Sequence, residues 1–220
     1  MAAWRERVAR MRELAKRGSR RAGGFPRRLR SYPVLASLIE GPIVLVGHSL
    51  GGAVVQKFIQ GGGQAAGMAL LASVPPWGLA PSALRMGILS PHLFASVLAM
   101  SSGRSPLVDR DLVREALFSP DLPPEDLERF ASRIGRESPR IGPELQGWPP
   151  FAPLAWTAPP TFVLGGLDDR IVPADEIWRT GLYYGCGPTL LPRLGHALML
   201  EPRWRDAAGA LRDWLLRLHA

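Results

Sequence analysis

Three short stretches of the chain carry side chains whose types and order could do chemistry: Gly47-His48-Ser49-Leu50-Gly51, Asp168-Asp169 and Gly195-His196. The first is a GxSxG pattern, and it gains meaning from its setting. Residues 43–46 form a continuous apolar run that reads as a buried strand. Leu50–Gln60, ended by three glycines at 61–63, reads as a helix. A sharp strand-to-helix turn would hold Ser49 in a strained conformation with its oxygen exposed. Side chains at 47 and 51 are expected to collide with the neighbouring strand and helix, hence glycine at both. The helix would also aim its positive end, and the backbone N–H of Leu50, at a point where an oxyanion could develop.

A serine hydroxyl is a poor nucleophile until a base takes its proton and a carboxylate orients that base. Asp168 and Asp169 follow a strand expected at 161–164, and His196 follows one expected at 189–191. In a parallel sheet all carboxyl ends lie on one edge, so residues far apart in sequence can converge there. Taken singly, Ser49 could be a helix N-cap, Asp169 a turn residue and His196 a surface histidine. In this order, each just after a strand, they point to one active site.

The elements that must position these residues alternate in the manner of a parallel α/β sheet. A further strand is expected at 68–72. An amphipathic helix at 204–218 should close the chain, burying Leu211, Trp214, Leu215 and Leu218. Between residues 75 and 160 the strand signal vanishes. Helical pieces are expected over 84–100, at 112–118 and from Pro124, where Glu125, Asp126 and Glu128 complement the helix dipole.

The segments VLVGHSLGG, VLGGLDDRIVP and LGHALMLEP resemble the nucleophile, acid and histidine segments of the α/β hydrolase superfamily, over a stretch from about Tyr32 to the C-terminus. The resemblance implies an α/β hydrolase fold with a mostly parallel sheet. Its core would be residues 31–75 and 159–220, with a helical cap inserted at 76–158. It implies a serine esterase or lipase needing no metal or organic cofactor. Ser49 would be the nucleophile, His196 the general base and then acid, and the Leu50 N–H an oxyanion donor. Asp169, four residues before a proline, would be the orienting carboxylate, with Asp168 its neighbour. Serine at 49 sets the chain apart from the haloalkane dehalogenase branch, with its aspartate nucleophile, and from the dienelactone hydrolase branch, with its cysteine. Apolar cap residues, among them Trp77, Leu84, Ile88, Leu89, Leu93, Leu98 and Met100, would either close over Ser49 and favour an apolar acyl group or simply pack the cap on the core. His48 reads as packing or a pocket wall.

One departure stands at the front. Relatives build four strands and a helix before the nucleophile strand, and a loop there supplies a second oxyanion N–H. Only 42 residues precede Ile43, and neither strands nor loop can be located in them. An N-terminally truncated fold is therefore expected, with the nucleophile strand as an exposed edge open to self-association. Loss of one oxyanion donor would cost about 3–4 kcal/mol of transition-state stabilisation. The alternative to an ester hydrolase is accordingly an impaired or dead remnant that acts as an interaction protein.

Composition narrows the remaining classes. At 220 residues, 46% hydrophobic and 21% charged, the chain is globular. Its formal charge of +8 invites a nucleic-acid or anionic-membrane reading. Residues 1–30, however, hold eleven Lys or Arg against two Glu, whereas 31–220 hold sixteen basic against seventeen acidic side chains. The excess belongs to a basic leader, expected to be a solvated, disordered tail with one short helix. No nucleic-acid partner is expected of the rest; a small-molecule ester is. Cys186 is the only cysteine, which excludes an intramolecular disulfide. No apolar run reaches membrane-spanning length and no signal peptide follows the basic start, so a cytoplasmic protein is expected.

Overall fold

The computed structural model describes residues 41–101, 109–134, 141–147 and 150–218. The basic leader and the lead-in at 32–39 lie outside the described residues. Four parallel strands, β1 (Val44–His48), β2 (Gly67–Leu71), β3 (Thr161–Gly166) and β4 (Thr189–Leu191), lie side by side in chain order. Helix α1 (Leu50–Gln60) crosses from β1 to β2, and α7 (Ala174–Tyr183) from β3 to β4. Helix α8 (Trp204–Leu218) ends the chain. Between β2 and β3 the described residues are helical: α2 (Ala80–Leu89), α3 (Pro91–Ser101), α4 (Arg110–Leu117), α5 (Pro124–Ala131) and the short α6 (Ile141–Glu144).

The apolar runs of β2 and β3 are explained by burial on both faces of the sheet. Met68, Leu70 and Val163 point to one face, where Val55 and Ile59 of α1 and Ile177 of α7 cover them. Ala69, Phe162 and Leu164 point to the other and meet Leu194, Leu198, Leu211 and Trp214. Phe162 stacks on Trp214 with ring centroids 5.5 Å apart. A separate core, with Leu93, Met100, Val113, Phe118, Leu122 and Leu127, holds the inserted helices together.

Several expectations are corrected. Helix α8 presents Leu211, Trp214, Leu215 and Leu218 to one side, but they are half-buried, and no residue of α8 is fully buried. It packs mainly on β3 and β4 and reaches β2 at Gly67, where a Cβ would lie 2.8 Å from the Leu218 side chain. Val46 is paired in register with Ala69 and so points to the α8 face; beyond the reach of that helix it is 47% exposed. Apolar surface at β1 is thus bared on this face, and among the described residues β1 is also the outermost strand of the sheet. In the inserted helices Leu93 and Met100 are buried, whereas Leu84, Ile88, Leu89 and Leu98 are more than half exposed. Helix α2 buries only Ser82; it packs chiefly on α3, reaches α7 through the exposed Arg85–Asp175 ion pair at 3.0 Å, and turns its leucines outward. Those four side chains therefore do not pack the inserted helices onto the core.

Helix α7 has no counterpart among the helices expected from sequence. The signal was there: Pro173 precedes it, and Asp175 and Glu176 occupy its first turn.

Candidate active site

The parallel register brings the ends of β1, β3 and β4 to one edge of the sheet. Ser49 is the residue after β1. It adopts φ 51° and ψ −121°, a region that costs a non-glycine residue of order 1–3 kcal/mol. The conformation is held from three directions. The Ser49 N–H donates to the Leu71 carbonyl at 3.0 Å, extending the β1–β2 ladder by one residue. The Ser49 carbonyl in turn accepts the N–H groups of Gly52 at 2.9 Å and Val74 at 3.3 Å.

Space around this turn decides where glycine is needed. A Cβ on Gly47 would stand 2.5 Å from the carbonyl oxygen of Gly51, as the motif predicts. At Gly51 the expectation fails, for no described atom lies within 4 Å of a Cβ there. The crowded helical position is Gly52, where a Cβ would meet Ser73 Oγ at 1.9 Å. Helix α1 packs its second glycine, not its first, against the strand-end segment after β2.

The Ser49 side chain makes no capping bond to α1. Its hydroxyl instead lies 2.8 Å from His196 Nε2. His196 Nδ1 lies 2.9 Å from Asp169 Oδ2. A carboxylate can only accept, so Nδ1 carries the proton and Nε2 presents its lone pair to the Ser49 hydroxyl. Asp169 is 3% exposed, and its other oxygen accepts the backbone N–H groups of Ile171 at 2.8 Å and Val172 at 2.9 Å. It is therefore a turn residue and a histidine partner at once, one oxygen for each. Asp168 is half-buried and outside this chain of hydrogen bonds. Leu50 is the first residue of α1, where a backbone N–H has no intrahelical acceptor.

Three polar side chains make bonds that were not anticipated, among them His48, read from sequence only as packing or a pocket wall. His48 donates from Nε2 to the backbone carbonyl of His196 at 2.8 Å. Burial, with the adjacent His196 ring as second cause, lowers its pKa from 6.5 to about 4, so the ring is neutral near pH 7. Glu201, 1% exposed, accepts the Gly195 N–H at 2.8 Å. Gln56, fully buried in α1, donates to the Val74 carbonyl at 2.9 Å and accepts from the Tyr184 hydroxyl at 2.8 Å. A polar residue inside an apolar pattern, as at Gln56 and at the end of the Leu198–Leu200 run, is the only trace such groups leave in sequence.

The Trp77 indole N–H donates to Glu176 Oε2 at 2.8 Å, joining the start of the inserted segment to α7. Burial pushes the Glu176 carboxyl above its ordinary pKa. A groove of about 340 Å³ runs behind the histidine turn between Phe130, Arg129, Met199, Glu201 and Trp204, and none of Ser49, Asp169 and His196 lines it. Among the described residues no three His, Cys, Asp or Glu side chains gather as a metal site would require, and no helix is long and apolar enough to cross a membrane.

A family model described as the alpha/beta hydrolase family matches residues 2–208, reaching back into the basic segment ahead of Tyr32. No curated protein matches the chain. Among solved structures, a candidate lipase from Acinetobacter baumannii AYE is 22% identical with a TM-score of 0.62, over 89% of this chain and 68% of that one. A thermophilic esterase from Thermogutta terrifontis is 21% identical with a TM-score of 0.59, over 91% and 75%. A bromoperoxidase from Bacillus anthracis is 16% identical with a TM-score of 0.63, over 91% and 76%. At these identities the likeness is one of fold.

Proposed function

The chain belongs to the alpha/beta hydrolase family, and from that premise we propose that it is a serine hydrolase of small carboxylic esters, with Ser49, His196 and Asp169 as its catalytic residues. One observation carries the reading: an unbroken line of hydrogen bonds from the Ser49 hydroxyl through both ring nitrogens of His196 to the buried Asp169, beginning at a serine held in a strained turn.

The line supports a two-stage mechanism. Ser49 Oγ attacks the ester carbonyl carbon as its proton passes to His196 Nε2. Asp169, accepting from Nδ1, stabilises the imidazolium that forms. Proton transfer of this kind contributes about 10²–10⁴ in rate. The negative oxygen of the tetrahedral intermediate lies by the Leu50 N–H at the positive end of α1; one such donor is worth roughly 10²–10³. Collapse returns the proton from His196 to the leaving alcohol and leaves an acyl group on Ser49. Water then repeats the sequence with His196 again as base, releasing the carboxylic acid and free Ser49. Half-buried Leu50 and Leu79, packed on Val54, Val74 and Phe151, favour an apolar acyl group beside this turn.

Labelling with a fluorophosphonate tests the reading, since it requires a serine activated by its base. Ser49 is expected to be modified in the folded protein and spared after His196→Ala. Folded protein that resists labelling would sink the proposal.

A second reading, an interaction protein without turnover, has the exposed Val46 face of β1 in its favour. Ester turnover that vanishes in Ser49→Ala excludes it.

A further inference from the structure

We propose that Glu201 is a positioning residue for His196, acting through the backbone of the turn that carries the histidine and binding that turn to the inserted helices. The proposal rests on the reading of His196 as general base.

Glu201 Oε1 accepts two backbone N–H groups, that of Gly195 at 2.8 Å and that of Ser119 at 2.6 Å. Its Oε2 accepts the Ser119 hydroxyl at 2.9 Å. Gly195 is the residue before His196, so its peptide plane sets where the histidine backbone stands. On the other side of His196, the Ala197 N–H donates to the Leu117 carbonyl at 2.9 Å. Both neighbours of the histidine are thus anchored, directly or through Glu201, to residues 117–119 at the end of α4. The approach is close enough that a Cβ on Gly195 would lie 2.6 Å from the Phe118 carbonyl carbon. Arg193 and Asp121 add an ion pair between the same two segments.

The chemistry of the acceptor explains the residue type. Two buried N–H groups converge on one oxygen and a hydroxyl on the other, which a carboxylate satisfies without a donor of its own. An apolar residue would leave both N–H groups buried and unpaired, at about 1–3 kcal/mol each. The turn would then relax away from α4 and carry the imidazole with it. The 2.8 Å contact to Ser49 tolerates little of this, for a misplacement of about 1 Å can cost roughly 10² in rate. An amide at 201 could still accept both N–H groups on its oxygen and donate from its nitrogen to the Ser119 hydroxyl.

The test compares the full chain with its Glu201→Ala, Glu201→Gln and Glu201→Asp variants. Two readouts are taken: steady-state hydrolysis of p-nitrophenyl acetate, and the low-field NMR resonance of the His196 Nδ1 proton held on Asp169. In Glu201→Ala the resonance is expected to shift or broaden, and kcat to fall about 10²-fold while KM stays within about twofold. Glu201→Gln should restore both readouts, and Glu201→Asp, one methylene too short, should not. Folded Glu201→Ala with unchanged resonance and kcat overturns the proposal. If that variant does not fold, an unchanged Glu201→Asp overturns it equally. Should the wild-type chain show no ester turnover, the functional reading fails, while the resonance still decides whether Glu201 positions the histidine.

Discussion

The imidazole of His48 donates a hydrogen bond to the backbone carbonyl of His196 at 2.8 Å, with the two ring centroids 5.1 Å apart. The residue before the candidate nucleophile therefore holds the residue that would activate it, and it does so as a neutral ring. The unfolded chain takes up a proton near pH 6.5, the folded chain only near 4. A lowered pKa means the unfolded state binds more protons between those values, so stability falls as pH drops from 6.5 to about 4, by at most about 3 kcal/mol. In His48→Gln, which keeps the N–H donor but does not titrate, this part of the loss should disappear. Urea unfolding at pH 7 and at pH 4.5 checks it; equal losses in both proteins would refute the assignment.

The two adjacent aspartates should behave very differently. An asparagine at 169 can turn its amide N–H toward His196 Nδ1 and place the proton on Nε2, facing the Ser49 hydroxyl. Such a tautomer change lowers kcat by about 10⁴ in a serine triad. Asp169→Asn is expected to show a loss of that order in ester turnover, and Asp168→Asn a change within about threefold. A larger loss for Asp168→Asn would transfer the carboxylate role to it.

Strain at Ser49 makes a stability prediction separate from catalysis. Both Ser49→Ala and Ser49→Gly remove the hydroxyl, but only glycine is at ease at φ 51°. The glycine variant should be more stable than the alanine variant by about 1 kcal/mol, measured by thermal unfolding, and both should be inactive. Equal stability would mean that the turn is not strained in solution.

Crowding around α1 predicts an asymmetry between neighbouring glycines. Gly51→Ala meets no described atom and should be tolerated, whereas Gly52→Ala drives a methyl group into Ser73. The second variant is expected to lose more than about 2 kcal/mol. Adding Ser73→Gly, which removes both clashing side-chain atoms, should recover part of that loss, and a denaturant-based double-mutant cycle would show the coupling.

Much of the fold was legible because it depends on local pattern. Apolar runs mark residues 43–46, 68–72, 161–164 and 189–191 to within about two positions of the strand bounds, although of these four strands only β2 and β3 are buried on both faces. The helix from Pro124 was visible from its acidic first turn, and α7 carries the same kind of start after Pro173 although its apolar stripe is weaker. Exposure of the inserted leucines was not legible. Leu84 and Leu93 are the same residue type in neighbouring helices, yet one is 67% exposed and the other 4%, because only packing between helices determines which face turns inward.

The sequence by itself determined the alternation of strands and helices, the GxSxG turn, and the order in which serine, aspartate and histidine follow their strands. These depend on residue type and spacing, which a chain carries before it folds. Tertiary structure alone decided how Asp169 divides its two oxygens between His196 and the backbone of its own turn, that Gly52 and not Gly51 needs its missing side chain, and that His48 and Glu201 grip the histidine turn. Each of those outcomes is a distance between residues remote in the chain: 27 positions between Asp169 and His196, 148 between His48 and His196, 82 between Ser119 and Glu201. Hydrogen bonds and close contacts act over about 3 Å, and no local pattern encodes which distant backbone will arrive within that range.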